Sequence, residues 1–278
     1  MAPLNAPTIP EKAYPEPFST NWVARGAWLL LAVYVAYALS TMDVSWPRII
    51  TGIGEAIKRY SPMFSPNFTR SELLIKGLTE SLQIAFLASA LGIVLALPIG
   101  LISARNLMPA WATWPARAII ALARTFHPVI VAIVFVKAVG FGALAGSLAL
   151  TVASIGFIGK LFAEAIEEIS LKQVEAVRAT GASFLNVIFF SVVPQVFSRF
   201  IGFATYQLDS NLRNSTMVGI VGAGGIGGTL FAAFQRFDYD FVGAILLCII
   251  GLIFVGELLA NVVRRVFATT TGRQEKDD

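Results

Sequence analysis

The residues able to do chemistry are few, and most fall inside apolar stretches. Arg124, His127 and Lys137 interrupt one such stretch, and Asp209 and Arg213 interrupt another. His127 is the sole histidine and Cys248 the sole cysteine. A lone cysteine rules out an internal disulfide. One histidine and one cysteine cannot furnish a usual zinc site, so neither a metal nor a resident cofactor is expected. A serine–histidine triad would have to recruit His127 itself. Asp209 and Arg213 lie four residues apart and share a helical face, where an internal ion pair is the plain expectation. Ionisable groups inside a membrane span cost about 2.5–3.5 kcal/mol each on insertion scales, so they face a bundle interior or water. Arginine suits phosphorus oxyanions because its planar fork donates two parallel hydrogen bonds. The functional reading is therefore a polar pathway for an anion, with Arg124, His127, Asp209, Asn211, Arg213 and Thr216 as its candidates and Asn214 and Ser215 as further neutral donors. Pairing with Asp209 tempers Arg213, which leaves tight capture to a separate binding protein. For His127 a packed or water-bonded role stands beside that of a proton relay.

These residues must be positioned by membrane helices. Of the 278 residues 56% are hydrophobic and 14% charged, with a mean hydropathy of +0.73. An ordinary soluble domain is about 45–50% apolar and about 25% charged. Too few charges remain to cover a soluble surface, and disorder is excluded by the same figures. The net charge of +4 orients loops in a membrane protein rather than binding nucleic acid. A spanning helix needs roughly 20 apolar residues. Six stretches qualify: 26–42, 81–104, 118–139, 139–157, 187–218 and 241–263. If the third enters at Ala118, Arg124 lies about 9 Å deep, His127 about 14 Å and Lys137 about 28 Å along, with Pro128 a kink at the middle. Residues 1–24 hold five prolines and read as a flexible tail, 44–78 as an external loop with a short helix, and 264–278 as a solvated tail. No secretory signal is apparent. An even span count puts both termini on one side, together with Arg25, Arg105, Arg117, Lys160, Lys172, Arg178, Arg264, Arg265 and Arg273. The positive-inside rule makes that side cytoplasmic, although Arg48, Lys58, Arg59, Arg70 and Lys76 then lie outside.

The longest cytoplasmic loop carries Glu175-Ala176-Val177-Arg178-Ala179-Thr180-Gly181, followed by Val193-Pro194. Residues 164–180 favour helix, and Gly181 is a natural terminator because glycine tolerates the left-handed conformation that ends helices. Residues 184–190 then resume an apolar phase, so the loop reads helix, sharp turn, helix. An ordinary solvated connector is the plain alternative. The spacing resembles the cytoplasmic loop of ABC importer permeases, whose pattern is Glu-Ala-Ala, three residues, Gly, nine residues, Ile, one residue, Leu-Pro. Glu175, Ala176, Gly181 and Pro194 match in register; Val177, Ser191 and Val193 depart from it. The resemblance implies that Glu175, Ala176, Arg178, Gly181 and Pro194 belong to an arm that inserts into a cleft of a separate ATPase.

A second stretch, Tyr206 to Thr216 followed by Val218 to Gly227, together with residues 155–161 and 164–167, resembles the permease subunit of phosphonate-type importers. The likeness runs from about residue 78 to 263. Arg124 matches an arginine of that family, whereas His127-Pro128 replaces an expected acidic residue. Gly222-Ala223-Gly224-Gly225-Ile226-Gly227 matches the dinucleotide pattern G-x-G-x-x-G, which has meaning only between a strand and a helix. Here Gly222, Gly224, Gly225 and Gly227 are read as a turn or gate that lets helices approach closely. No G-x-x-x-x-G-K-[ST] loop occurs in the chain, so ATP and Mg are expected on a partner.

The resemblance implies an all-α membrane protein of six transmembrane helices with the type I ABC importer permease fold. Residues 79–263 form the core and 159–195 the coupling loop. It implies a second copy of the chain, two ATPase subunits, an external substrate-binding protein, surrounding lipid and alternating access in a bacterial inner membrane. The cargo expected is phosphonate or a related oxyanion such as phosphate or phosphite. Another small polar nutrient, a proton-coupled secondary transporter using His127, Asp209 and Arg124, and a membrane enzyme acting on phospholipid head groups are the alternatives.

Overall fold

The computed structural model describes residues 22–42 and 45–274. Most of the expected N-terminal tail, and the last four residues of the C-terminal one, lie outside that range. Among the described residues every regular element is helical. Two units are distinct. The first ends at Arg59 and the second runs from Tyr60 onward.

The first unit holds α1 (Trp22–Thr41) and most of α2 (Trp46–Tyr60). α1 is apolar all round and buries no residue. α2 is amphipathic: Trp46, Ile49, Ile50, Ile53 and Ile57 share one face, and Arg48, Glu55, Lys58 and Arg59 the opposite one. It is the short helix expected between residues 44 and 78.

The second unit is built on α3 (Ser71–Ser103) and α6 (Ala143–Glu167). α3 starts ten residues before the apolar run expected from residue 81. Gly77, Ser81, Ala85, Ala88, Gly92, Ala96 and Gly100 are all buried on one face of α3. Small residues at spacings of three and four let two backbones approach closely, the usual basis of helix association in lipid. α6 answers with Gly146, Gly156 and Gly159, also buried. A Cβ on Gly100 would stand 2.9 Å from the Phe162 ring and 3.0 Å from the Gly159 carbonyl.

The expected third span is not one helix. α4 (Ala110–Thr125) and α5 (Pro128–Val139) meet at a bend of 92°. Pro128 is tolerated because it opens α5 rather than interrupting it. The depths assigned to His127 and Lys137 along a straight axis therefore do not hold.

After α6 come α7 (Leu171–Ala179), the single turn α8 (Phe184–Val187), a π-helical turn at Ile188–Val192 and α9 (Val193–Ile220). The polar helix expected over 164–180 is broken at Glu168–Ser170, and its first part belongs to α6. α10 (Ile226–Gln235) and α11 (Tyr239–Gln274) complete the chain. Five helices are long and apolar enough to cross a membrane, and the bent pair makes a sixth candidate.

Three apolar clusters follow one another along α3. Leu74 packs with Ile226, Leu230, Phe241 and Ile245. Ile84 and Ala88 pack with Val136, Leu150 and Val218. Ala104 packs with Ile166, Val174, Val187 and Val196. The last cluster carries the loop of greatest interest.

Candidate functional site

α7 is held by one side only. Val174 is buried and Val177 half-buried in the cluster with Ile166, Val187 and Val196. Glu175, Ala176, Arg178 and Ala179 project away from the bundle and are exposed. Gly181 has φ +78°, and nothing lies within 4 Å of the position its Cβ would take. Within the chain a side chain there meets no neighbour, so what the chain itself demands of this position is backbone conformation.

Three contacts fix the base of this arm. The Ser170 N–H donates to Gln195 Oε1 at 2.9 Å, and Gln195 Nε2 donates to the Ser191 carbonyl at 2.9 Å. Arg199 pairs with Glu168. Gln195 and the Glu168–Arg199 pair were not singled out from the sequence. Only the position of Gln195 directly after Pro194 hinted at it. Pro194 lies in the first turn of α9, next to the π turn, where the Val193 N–H reaches back five residues to Ile188. A proline clashes with the carbonyl four residues before it. The widened turn is where that conflict is absorbed.

α9 has two unlike faces. On one, Asn211 is fully buried, and its Nδ2 donates to Ser89 Oγ and Ser154 Oγ, both at 2.9 Å. Gln207 donates to Ser154 Oγ at 2.9 Å and to Asn211 Oδ1 at 3.0 Å. This knot ties α9 to α3 and α6. On the other face, Tyr206, Ser210, Arg213, Asn214 and Met217 recur at spacings of three and four and are exposed or half-exposed. Tyr206 stacks on Phe157 with ring centroids 5.4 Å apart.

Arg213 pairs with Asp209, as the four-residue spacing led one to expect. The Arg213 side chain is 50% exposed and that of Asp209 12%. Asp209 lines an apolar groove of 630 Å³ with residues of α3 and α11 such as Phe86 and Leu252. Its Oδ1 is buried without a partner. Arg124 ends α4 and lines a different cavity with Arg117 and Lys160. His127 is exposed and caps α5, its Nδ1 accepting from the Val129 N–H at 3.4 Å. Within one chain, then, the six residues assigned to the pathway do not converge. Asn211 and Thr216 are buried between helices, whereas Arg213, Arg124 and His127 are open at the surface.

The glycine segment is a turn. Gly222, Gly224 and Gly225 have φ of +88°, +82° and +79°. Gly222 accepts from the Gly142 N–H at 3.1 Å, and the Ile226 N–H donates to Ser81 Oγ at 2.9 Å. A Cβ on Gly224 would stand 2.6 Å from the Ala143 nitrogen and 2.8 Å from Glu80 Oε1. Gly227 lies against the Thr216 carbonyl. The segment wedges between α3, at Glu80 and Ser81, and the start of α6, and among the described residues no strand lies beside it, so the dinucleotide pattern has no structural support.

Long apolar helices packed through small residues, with an outward charged arm at one end of the bundle, are the architecture of a membrane-embedded subunit. The family of binding-protein-dependent transport system inner membrane components matches residues 96–269, and the chain belongs to it. It is 37% identical over 244 residues to the phosphite transport system permease protein PtxC of Stutzerimonas stutzeri, covering 87% of this chain and 86% of that one. It is 38% identical over 218 residues to the phosphate-import permease protein PhnE of Mycolicibacterium smegmatis, covering 78% of this chain but spanning 41% of that protein's length. In fold it is similar to a chain of the MetNI methionine ABC transporter, with a TM-score of 0.65 and 24% identity over 72% of this chain and 99% of that one.

Proposed function

We propose that this chain is the membrane-spanning subunit of an ATP-driven importer for phosphonate or a related phosphorus oxyanion, such as phosphate or phosphite. Two copies enclose the path, two ATPase subunits bind the arm around Glu175–Gly181, and an external binding protein delivers the cargo. Both termini and the arm face the cytoplasm.

The observation that carries the reading is α7 itself. A short helix held through Val174 and presenting Glu175, Ala176 and Arg178 outward is shaped to enter a groove. It is fixed at its base by Gln195 and at its tip by the turn at Gly181. Closure of an ATPase pair would move this arm, and α9 continues from its base. A displacement would therefore reach the α9 face that carries Arg213, exposing the path to each side in turn. The likeness to phosphate-import and phosphite transport permeases supports the cargo class. So does the chemistry of Arg213, whose restraint by Asp209 favours passage over capture.

The test is reconstitution of the chain with its ATPase and binding protein in vesicles. Gly181→Asp is expected to abolish cargo-stimulated ATP hydrolysis while membrane insertion continues. Full coupling in that variant, or uptake by vesicles that lack the ATPase, would overturn the docking role.

A further inference from the structure

Beyond the arm and the α9 face, the chain carries a cluster of cations that neither of them explains. Two adjoining cavities, of 490 and 310 Å³, share Arg117 and Ala121. Arg105 lines the first, Arg124 and Lys160 the second. Four cations thus face two carboxylates, Glu164 and Glu167, which leaves an excess of two positive charges. Glu164 is occupied by Lys160 at 3.4 Å, and Glu167 by Arg117 at 2.5 Å and by the Arg105 N–H at 2.8 Å. Among the described residues neither the Arg105 nor the Arg124 side chain has a carboxylate partner. Arg117 is held in place by its Nε bond to the Ser103 carbonyl at 3.0 Å, and three of its five donors remain for a ligand.

The setting says what that ligand is. Arg117 and Arg124 lie on one face of α4, about 10 Å apart along its axis, and line one cavity, so their long stems can run beside hydrocarbon. Trp114 lines the first cavity with Arg105 and Arg117. Trp114 and Trp111 are 76% and 80% exposed. Exposed tryptophans mark the boundary between lipid and water. Basic pockets between membrane helices at that boundary take phosphate head groups.

We propose that Arg105, Arg117, Arg124 and Lys160 form a binding site for the phosphate of an anionic phospholipid, in the leaflet on the side of the coupling arm. Arg105 and Arg124 supply the uncompensated charge, Arg117 a fixed donor and the tryptophans a wall for the acyl chains. The proposed importer function enters only through the name of the leaflet. The phosphate would share Arg117 with Glu167, whose neighbour Glu168 anchors the arm through Arg199. Lipid thus sits at the root of the arm.

The test uses the full chain in nanodiscs of mixed phosphatidylglycerol and phosphatidylcholine, with the lipid retained after detergent extraction measured by native mass spectrometry. Wild type is expected to retain phosphatidylglycerol selectively. Arg105→Gln and Lys160→Gln are each expected to lower that selectivity about fivefold, and the pair about twenty- to thirtyfold, at the usual worth of a cation near anionic lipid. The charge-preserving pair Arg105→Lys and Lys160→Arg should restore it, which separates loss of charge from loss of fold. Equal retention of the two lipids by wild type, or unchanged selectivity in the Gln pair, would overturn the proposal. So would inorganic phosphate binding in pure phosphatidylcholine discs and displacing phosphatidylglycerol from mixed ones, which would make the site one for a free anion. None of these readouts needs an ATPase or transport, so failure here and failure of the importer reading are distinguishable.

Discussion

Single positions divide by whether backbone or side chain sets the requirement. Gly181 is a backbone case. Its φ of +78° costs an ordinary L-residue about 1–2 kcal/mol, whereas Asn visits that region more readily. Gly181→Val is therefore expected to weaken coupling more than Gly181→Asn, measured as cargo-stimulated ATP hydrolysis. Equal loss in both would point to contact with the ATPase rather than to conformation. Asn211 is a side-chain case. It is buried, and its Nδ2 is donated to Ser89 and Ser154. Hydrogen bonds between membrane helices average about 0.6 kcal/mol and reach about 1.7. Asn211→Leu keeps the number of side-chain heavy atoms but breaks two such bonds and crowds a buried site with bulkier methyls, and is expected to destabilise the chain by about 1–2 kcal/mol or more. Thermal unfolding in detergent would read this as a lower midpoint.

At the scale of elements, the arm works as a unit because its base is tied to α9. The Ser170 N–H has Gln195 as its acceptor. Gln195→Ala is expected to cost about 1 kcal/mol locally. Amide exchange across 168–183 should quicken while the core of α9 is unaffected. Exchange that quickens equally in both segments would show that the arm does not open on its own. The glycine wedge is the opposite kind of element, rigid and crowded. Gly224→Ala brings a Cβ to 2.6 Å from the Ala143 nitrogen and adds backbone strain at φ +82°. It is expected to loosen α6 from α10, with a lower unfolding midpoint as the measure.

On the scale of the whole molecule, the α9 face with Arg213 is open among the described residues of its own unit. Arg213→Ala is expected to lower uptake severalfold while the ATPase stays bound, as read by co-purification, and Arg213→Lys should recover part of it because charge persists without the fork. Uptake at the wild-type rate in Arg213→Ala would remove this residue from the path. Small-residue packing of α3 on α6 makes for a stiff core, so in the proposed importer a displacement of the arm would be passed along α9 rather than absorbed.

Composition alone put the chain in a bilayer, because 14% charge cannot cover a soluble surface of this size. Local chemistry gave the order helix, turn, helix in the arm, because the helix-favouring run over 164–180 and the glycine at 181 are short-range signals, but the break at Glu168–Ser170, which gives the first part of that run to α6, was not visible in it. The pairing of Asp209 with Arg213 was legible for the same reason. A kink at Pro128 was legible, but its angle of 92° and the division into α4 and α5 were not, since proline is compatible with a kink, a break or a helix start and packing on α6 chooses among them. Nor could the sequence say that Asn211 faces inward while Arg213, two residues on, faces out. That depends on which side of α9 meets Ser89 and Ser154, and only the tertiary arrangement of three helices settles it. The cations at 105, 117, 124 and 160 likewise become one cluster only when antiparallel packing brings the end of α6 beside the face of α4. Charge pattern along a chain records spacing, and shared location is created by folding.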